Sequence, residues 1–147
     1  MKPSSKRIPP DHQPSGGGAS APASALNLVL YYRLPWFALC LFIFWQSSFD
    51  FMDSPPLFPH DDKIKHLMAY AFLAFLIARN LKKERSFLSP TKLRILAILF
   101  ASLYGLSDEI HQAFVPSREA SMLDVAADIL GSFIGAWFYL DFFCRRK

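Results

Sequence analysis

Apolar and polar residues in this chain do not alternate at a helical or strand period; they fall into blocks. Apolar residues are bunched at about 28–49, 63–81, 93–106 and 122–143, with short polar stretches between them. Blocks of this kind predict membrane spans rather than the one-sided stripe of a helix lying on a soluble core. The pattern predicts an all-α membrane protein, a four-helix transmembrane bundle over residues 28–147, with its third span continuing to 112. The first block has a short uninterrupted core, Leu34–Trp45, and Arg33 must snorkel to an interface beside Tyr31 and Tyr32. Pro35 falls in the first turns of that span, where proline is tolerated. Pro55, Pro56 and Pro59 exclude a helix from the loop Asp50–Asp62, and Pro116 stops the third span.

Residues 1–25 are rich in Pro, Ser, Gly and Ala and include the run Ser15-Gly16-Gly17-Gly18. Such a composition cannot bury a core and predicts a disordered tail, too proline-rich for a signal peptide, so no cleavage is expected. The net charge of +4 is modest, and its basic residues flank apolar blocks rather than line a groove. Nucleic acid is therefore excluded as a partner and the lipid bilayer, with its anionic headgroups, is favoured.

Lys and Arg concentrate in the N-terminal tail, in the stretch from Arg79 to Arg94, and in Arg145-Arg146-Lys147. The other two loops are acidic, with Asp50, Asp53, Asp61 and Asp62 in one and Asp108, Glu109 and Glu119 in the other. The positive-inside rule then predicts that both termini are cytoplasmic. The two cysteines, Cys40 in an apolar block and Cys144 in the basic tail, fall at different depths, which argues against a disulfide.

The chemistry is concentrated in Tyr104–Asp128, YGLSDEIHQAFVPSREASMLDVAAD, between two apolar runs. Asp62, His66, Ala69 and Leu73 share one helical face, with Tyr70 nearby; Asp124, Asp128, Gly131 and Gly135 share another. The spacing Gly131-xxx-Gly135 predicts close approach to a neighbouring helix. On the plain structural reading these polar groups are caps and loop charges: Asp62 caps the second span, Ser121 caps the fourth with Asp124 completing a capping box, and Asp108 pairs with Arg118. That reading is weakest for His66 and Asp128, which lie one to two turns inside their spans, where an ionisable residue marks a functional site by default. The topology puts three polar clusters at one membrane surface. His66, Asp108, His111, Arg118, Asp124 and Asp128 are expected to line one outward-facing pocket, with His66 or Arg118 beside the deep carboxylate of Asp128. Lys63 and Arg118 could hold a phosphate or carboxylate. His66, Asp108, His111 and Asp124 are candidate metal ligands, although no HxxxH or HExxH spacing occurs. His12 and His60 read as incidental.

Asp62-Lys63-x-x-His66-x-x-x-Tyr70 and Asp108-Glu109-x-His111-Gln112, followed by Arg118, Ser121, Asp124, Gly131 and Gly135, resemble the VanZ-like family of bacterial membrane proteins over about residues 62–135. The resemblance implies a multi-span protein of the cell envelope and inner membrane. The name-giving member is linked to antibiotic resistance, at a low level, to the glycopeptide teicoplanin. Asp128 departs from the Asn usual in that family, and Ser117 from its frequent Gly. Three functions stay open: a site that binds a lipid-linked envelope precursor or glycopeptide, a membrane-embedded and metal-dependent hydrolase or transferase, and a small transporter subunit, which would need to act as a homo-oligomer. The residues specify neither a cofactor nor a reaction.

Overall fold

The computed structural model describes residues 21–49, 61–116 and 118–143, and among these every regular element is helical. The predicted disorder of residues 1–20, the Pro-rich loop 50–60 with His60, and Ser117, Cys144 and the basic C-terminus lie outside the described residues.

The first helix starts earlier than the apolar block indicates. Helix α1, Ala21–Leu28, runs through a π-turn at Val29–Arg33 into α2, Leu34–Ser48. The polar-looking APASALNL is rich in alanine, the best helix former, so 21–25 are helical rather than part of a disordered tail. Pro35 therefore lies inside a continuous helix rather than at its start. The π-turn accommodates it: Leu34 N–H bonds back to the carbonyl of Val29, five residues earlier, just before the proline.

Helix α3, Asp61–Glu84, runs past the predicted end at 81, with Lys82 and Lys83 in its last turn, where cations suit the helix dipole. Ser89 caps α4, Pro90–Gln112, by accepting from Lys92 N–H at 3.3 Å, with Pro90 in the first turn. Helix α5, Met122–Phe138, ends in a second π-turn, Tyr139–Phe143.

Burial is inside-out. Ile95, Leu99, Phe100, Leu103, Leu106 and Ile110 stand exposed along one side of α4, while Asp108, Glu109 and Gln112 are buried on the other. Among the described residues, three helical stretches are long and apolar enough to cross a membrane: Ala25–Ser48, Asp61–Glu84 and Met122–Phe143. Helix α4 is not among them. Its uncharged stretch between Arg94 and Asp108 covers about 20 Å at 1.5 Å per residue, against a hydrocarbon core of about 30 Å.

The α3–α5 contact is the most extensive in the bundle. It depends on Gly131 and Gly135. A Cβ at Gly131 would collide with the Leu67 carbonyl oxygen, and one at Gly135 with the Ala71 carbonyl oxygen. Helix α4 approaches closely through Ala97, Ala101 and Gly105, all buried one turn apart. Tyr104 ties α4 to α2 by donating to the Cys40 carbonyl at 2.6 Å. Cys40 is itself a free, buried thiol.

Ion pairs define the two ends. Arg33–Glu84 and Arg94–Asp141, each at 2.6 Å, close the end where α3 stops and α4 starts. The polar clusters gather at the other.

Candidate functional site

Each side chain of the site is delivered by a helical face that the packing turns inward. Helix α3 brings Lys63, His66 and Tyr70; α4 brings Asp108, Glu109 and Gln112 from its last turns; α5 brings Asp124 and Asp128 from its first two. Asp128 is fully buried. Its Oδ1 lies 3.0 Å from His66 Nδ1, and its Oδ2 has no hydrogen-bond partner among the described residues. Gly105 makes the room. A Cβ there would sit 2.6 Å from Asp128 Oδ2, so any side chain on α4 at this level would displace the carboxylate.

Glu109, 4% exposed, links the helices in a way that neighbouring sequence positions do not suggest. Its Oε2 accepts from the backbone N–H of Ser121 at 2.8 Å, while Oε1 lies 3.7 Å from His66 Nδ1 and is otherwise unpartnered. In a capping box the third residue of the same helix would fill the first role. Here a carboxylate from α4 fills it, and Ser121 Oγ takes Leu123 N–H at 3.2 Å. Asp124, expected to complete the box, instead pairs with Lys63 Nζ at 3.2 Å. The same ammonium reaches Asp62 Oδ2 at 2.9 Å. Asp62 is not the cap of α3: it lies in the first turn, with its side chain 56% exposed.

Beside this cluster a cleft of about 80 Å³ is lined by Gln46, Ser47, Lys65, His66, Tyr70, Asp108, Gln112 and Arg118, among others. The expected Asp108–Arg118 pair does not form. Asp108 Oδ2 accepts from Gln112 Nε2 at 3.1 Å, and that amide also donates to Ser47 Oγ at 3.3 Å. Arg118 folds back over the bundle and donates through Nη2 to the carbonyls of Gln46, at 3.2 Å, and Phe49, at 3.3 Å. Its buried Nε has no partner among the described residues. Tyr70 is 1% exposed, its ring parallel to that of His66 at 6.2 Å, and its hydroxyl is likewise unpartnered among the described residues.

His111 is the residue that goes elsewhere. Helical rotation aims it at α2, where Nε2 lies 3.0 Å from Ser48 Oγ and the ring packs on Phe44 at 4.7 Å. The candidate ligand set changes accordingly. Among the described residues, the groups whose ligand atoms fall within 4.8 Å of one another are His66, Glu109 and Asp128, not His66 with Asp108, His111 and Asp124.

Gly105, Gln46, Ser47 and Lys65 had no part in the sequence reading of the site. Gly105 carried a signal: it falls three and four residues before Asp108 and Glu109, on the same helical face. Gln46 and Ser47 carried none, because they close the cleft from a distant segment. A larger groove of about 950 Å³ lies at the opposite end, lined by Tyr32, Arg33, Arg79 and Lys83 among others, with Arg79 over the Tyr32 ring at 4.9 Å.

A family model described as VanZ/LLP1 matches residues 12–144, well beyond the 62–135 stretch that carries the quoted motifs. Comparisons with curated proteins and with solved structures returned no match.

Proposed function

As the chain belongs to the VanZ-like family, a family associated with glycopeptide resistance, we propose that it is a cell-envelope protein of the bacterial inner membrane whose polar end binds the anionic group of a lipid-linked envelope precursor. The observation that carries this reading is the buried Nε of Arg118, unpartnered among the described residues, in a cleft that also presents His66 and Lys65. An unsatisfied buried donor costs about 1–3 kcal/mol, which an accepting oxygen would recover. The cleft, at about 80 Å³, admits a phosphate or carboxylate. Ligand pockets for drug-sized molecules run to roughly 300–1,000 Å³, so a whole glycopeptide is not the favoured occupant. Resistance would then follow from an altered supply or exposure of the precursor.

The bilayer arrangement belongs to the same proposal. Helix α4 serves as a fourth span: its exposed apolar stripe from Ile95 to Ile110 faces lipid, and its charged residues near Gln112 turn inward against α3 and α5. Both termini and the basic 82–92 turn lie in the cytoplasm and the polar cleft faces outward, an orientation supported by the distribution of Lys and Arg. A second reading, a metal-dependent hydrolase or transferase, is favoured by the grouping of His66, Glu109 and Asp128.

The test uses the full chain in lipid nanodiscs, titrated with a polyprenyl-linked pyrophosphate precursor. Arg118→Lys keeps the charge and removes the Nε donor. It should weaken binding about tenfold, equivalent to about 1.4 kcal/mol. Cells carrying a deletion of the gene should become more sensitive to teicoplanin, and Arg118→Lys should restore resistance poorly. Equal binding by wild type and Arg118→Lys would refute the assignment of Arg118.

A further inference from the structure

The polar end holds more negative charge than its own cations offset. Asp108, Glu109, Asp124 and Asp128 are all nearly inaccessible, at 4%, 4%, 6% and 0% exposure. Among the described residues, the ammonium paired to them is that of Lys63, on Asp124. Asp108 has an amide for a partner, the Arg118 guanidinium spends Nη2 on backbone carbonyls, and His66 faces Glu109 and Asp128 together. Buried carboxylates are stable only when paired with charge and hydrogen-bonded. Two of their oxygens, Asp128 Oδ2 and Glu109 Oε1, are buried without a hydrogen-bond partner among the described residues.

We propose that His66, Glu109 and Asp128 bind a first-row divalent cation, Zn²⁺ or Mn²⁺. The spacings fit. Ligand atoms about 2.1 Å from a tetrahedral or octahedral centre lie roughly 3.0–3.5 Å apart. His66 Nδ1 is 3.0 Å from Asp128 Oδ1 and 3.7 Å from Glu109 Oε1, so small side-chain movements reach that geometry. One imidazole nitrogen with two carboxylate oxygens suits Zn²⁺ or Mn²⁺ better than Ca²⁺, which takes six to eight oxygens. The outer contacts are of the kind that fix metal ligands. Ser121 N–H holds Glu109 Oε2 and leaves Oε1 free, and Gly105 keeps the space for Asp128. Metal binding would release the proton that Nδ1 now shares with Asp128, and that contact would become two bonds to one ion.

This builds on the reading of the polar end as an anion site. His66 borders the cleft that Arg118 closes, so a cation on His66 would lie beside a bound phosphate. Open positions on the metal would take water or that phosphate's oxygen.

The untagged full-length protein, purified in detergent and stripped with EDTA, is dialysed against Zn²⁺ or Mn²⁺ and its metal content measured. Wild type and Asp62→Asn should each retain about one equivalent, whereas Glu109→Gln and Asp128→Asn should bind at least about tenfold more weakly. Should Asp128→Asn fail to fold, Co²⁺ absorption of wild type and Glu109→Gln decides instead. Visible bands in wild type that Glu109→Gln alters support the site. Wild type that keeps no metal, or variants that keep as much as wild type, would overturn it. Precursor binding measured on the same metal-free protein separates the two readings: retained, Arg118-dependent binding without metal leaves the anion site standing alone.

Discussion

Replacing Gly135 by alanine adds one carbon at the closest point of the α3–α5 crossing. That carbon would overlap the Ala71 carbonyl oxygen and stand 2.7 Å from the Ala71 carbonyl carbon and 3.0 Å from its Cα. An ordinary contact is about 3.5 Å, and the carbonyl oxygen is the closest atom, so one helix must retreat by about 1.5 Å. All three atoms are backbone, held in the hydrogen-bond ladder of α3, so no side-chain rotation relieves the clash. A gap of 0.5–1 Å forfeits about a quarter to a half of each dispersion contact it opens. Because lipid is as apolar as the interface, packing of this kind is a main source of helix association in a bilayer. Overpacking typically costs about 1–3 kcal/mol, and a backbone clash in the largest interface belongs at the upper end. Reversible unfolding in mixed micelles should therefore show Gly135→Ala less stable by about 2–3 kcal/mol. Ala126→Leu is the control. Ala126 is exposed on the opposite side of α5, half a helical rotation away, and its replacement should change stability by no more than about 0.5 kcal/mol. Equal stability of Gly135→Ala and wild type would mean that α3 and α5 do not meet at this point.

Other expectations follow from single contacts. Tyr70→Phe removes a buried hydroxyl that has no partner and should raise the stability of the ligand-free protein by about 1 kcal/mol; a loss of that size would reveal a bonded hydroxyl. Glu109→Ala should expose the first turn of α5, read as faster hydrogen exchange at Leu123 and Asp124 and about 1 kcal/mol of lost stability, whereas Glu109→Gln, which keeps an acceptor for Ser121 N–H, should protect both. If exchange is unchanged in Glu109→Ala, α4 does not cap α5. In a cysteine-free background, an impermeant thiol reagent applied to intact cells should label a cysteine at Ala120 and miss one at Ser86; the reverse pattern would invert the orientation.

The sequence and the structure agree most closely where an element's own residues suffice. The face shared by Asp124, Asp128, Gly131 and Gly135 is a matter of 100° per residue, and all four are buried. Ser121 is the N-cap of α5, as its side chain and the following apolar run indicate. The start of the first helix was hidden because the alanine-rich 21–25 lack the hydropathy of a span, although they have its helix propensity. Helix α4 is ambiguous by hydropathy for a related reason. Its charges lie at both ends of a short apolar run, and only its neighbours tell which side of the helix they occupy.

What the chain by itself determined is the all-helical, inside-out character of the protein, the collection of acidic groups at one end, and the small residues through which α5 meets its neighbour. These are set by local periodicity and by the energy of placing apolar or charged groups in lipid or water. Partner choice was left to the tertiary structure. His66 and His111 are both helical histidines near the same end, yet one faces Asp128 and Glu109 while the other turns to Ser48. Glu109 caps a helix to which it does not belong, and Gly105 matters because of a carboxylate 23 positions further along. The rotation and depth of one helix against another decide such contacts. Those are fixed by the summed packing of whole faces, and no stretch of sequence read alone contains that sum.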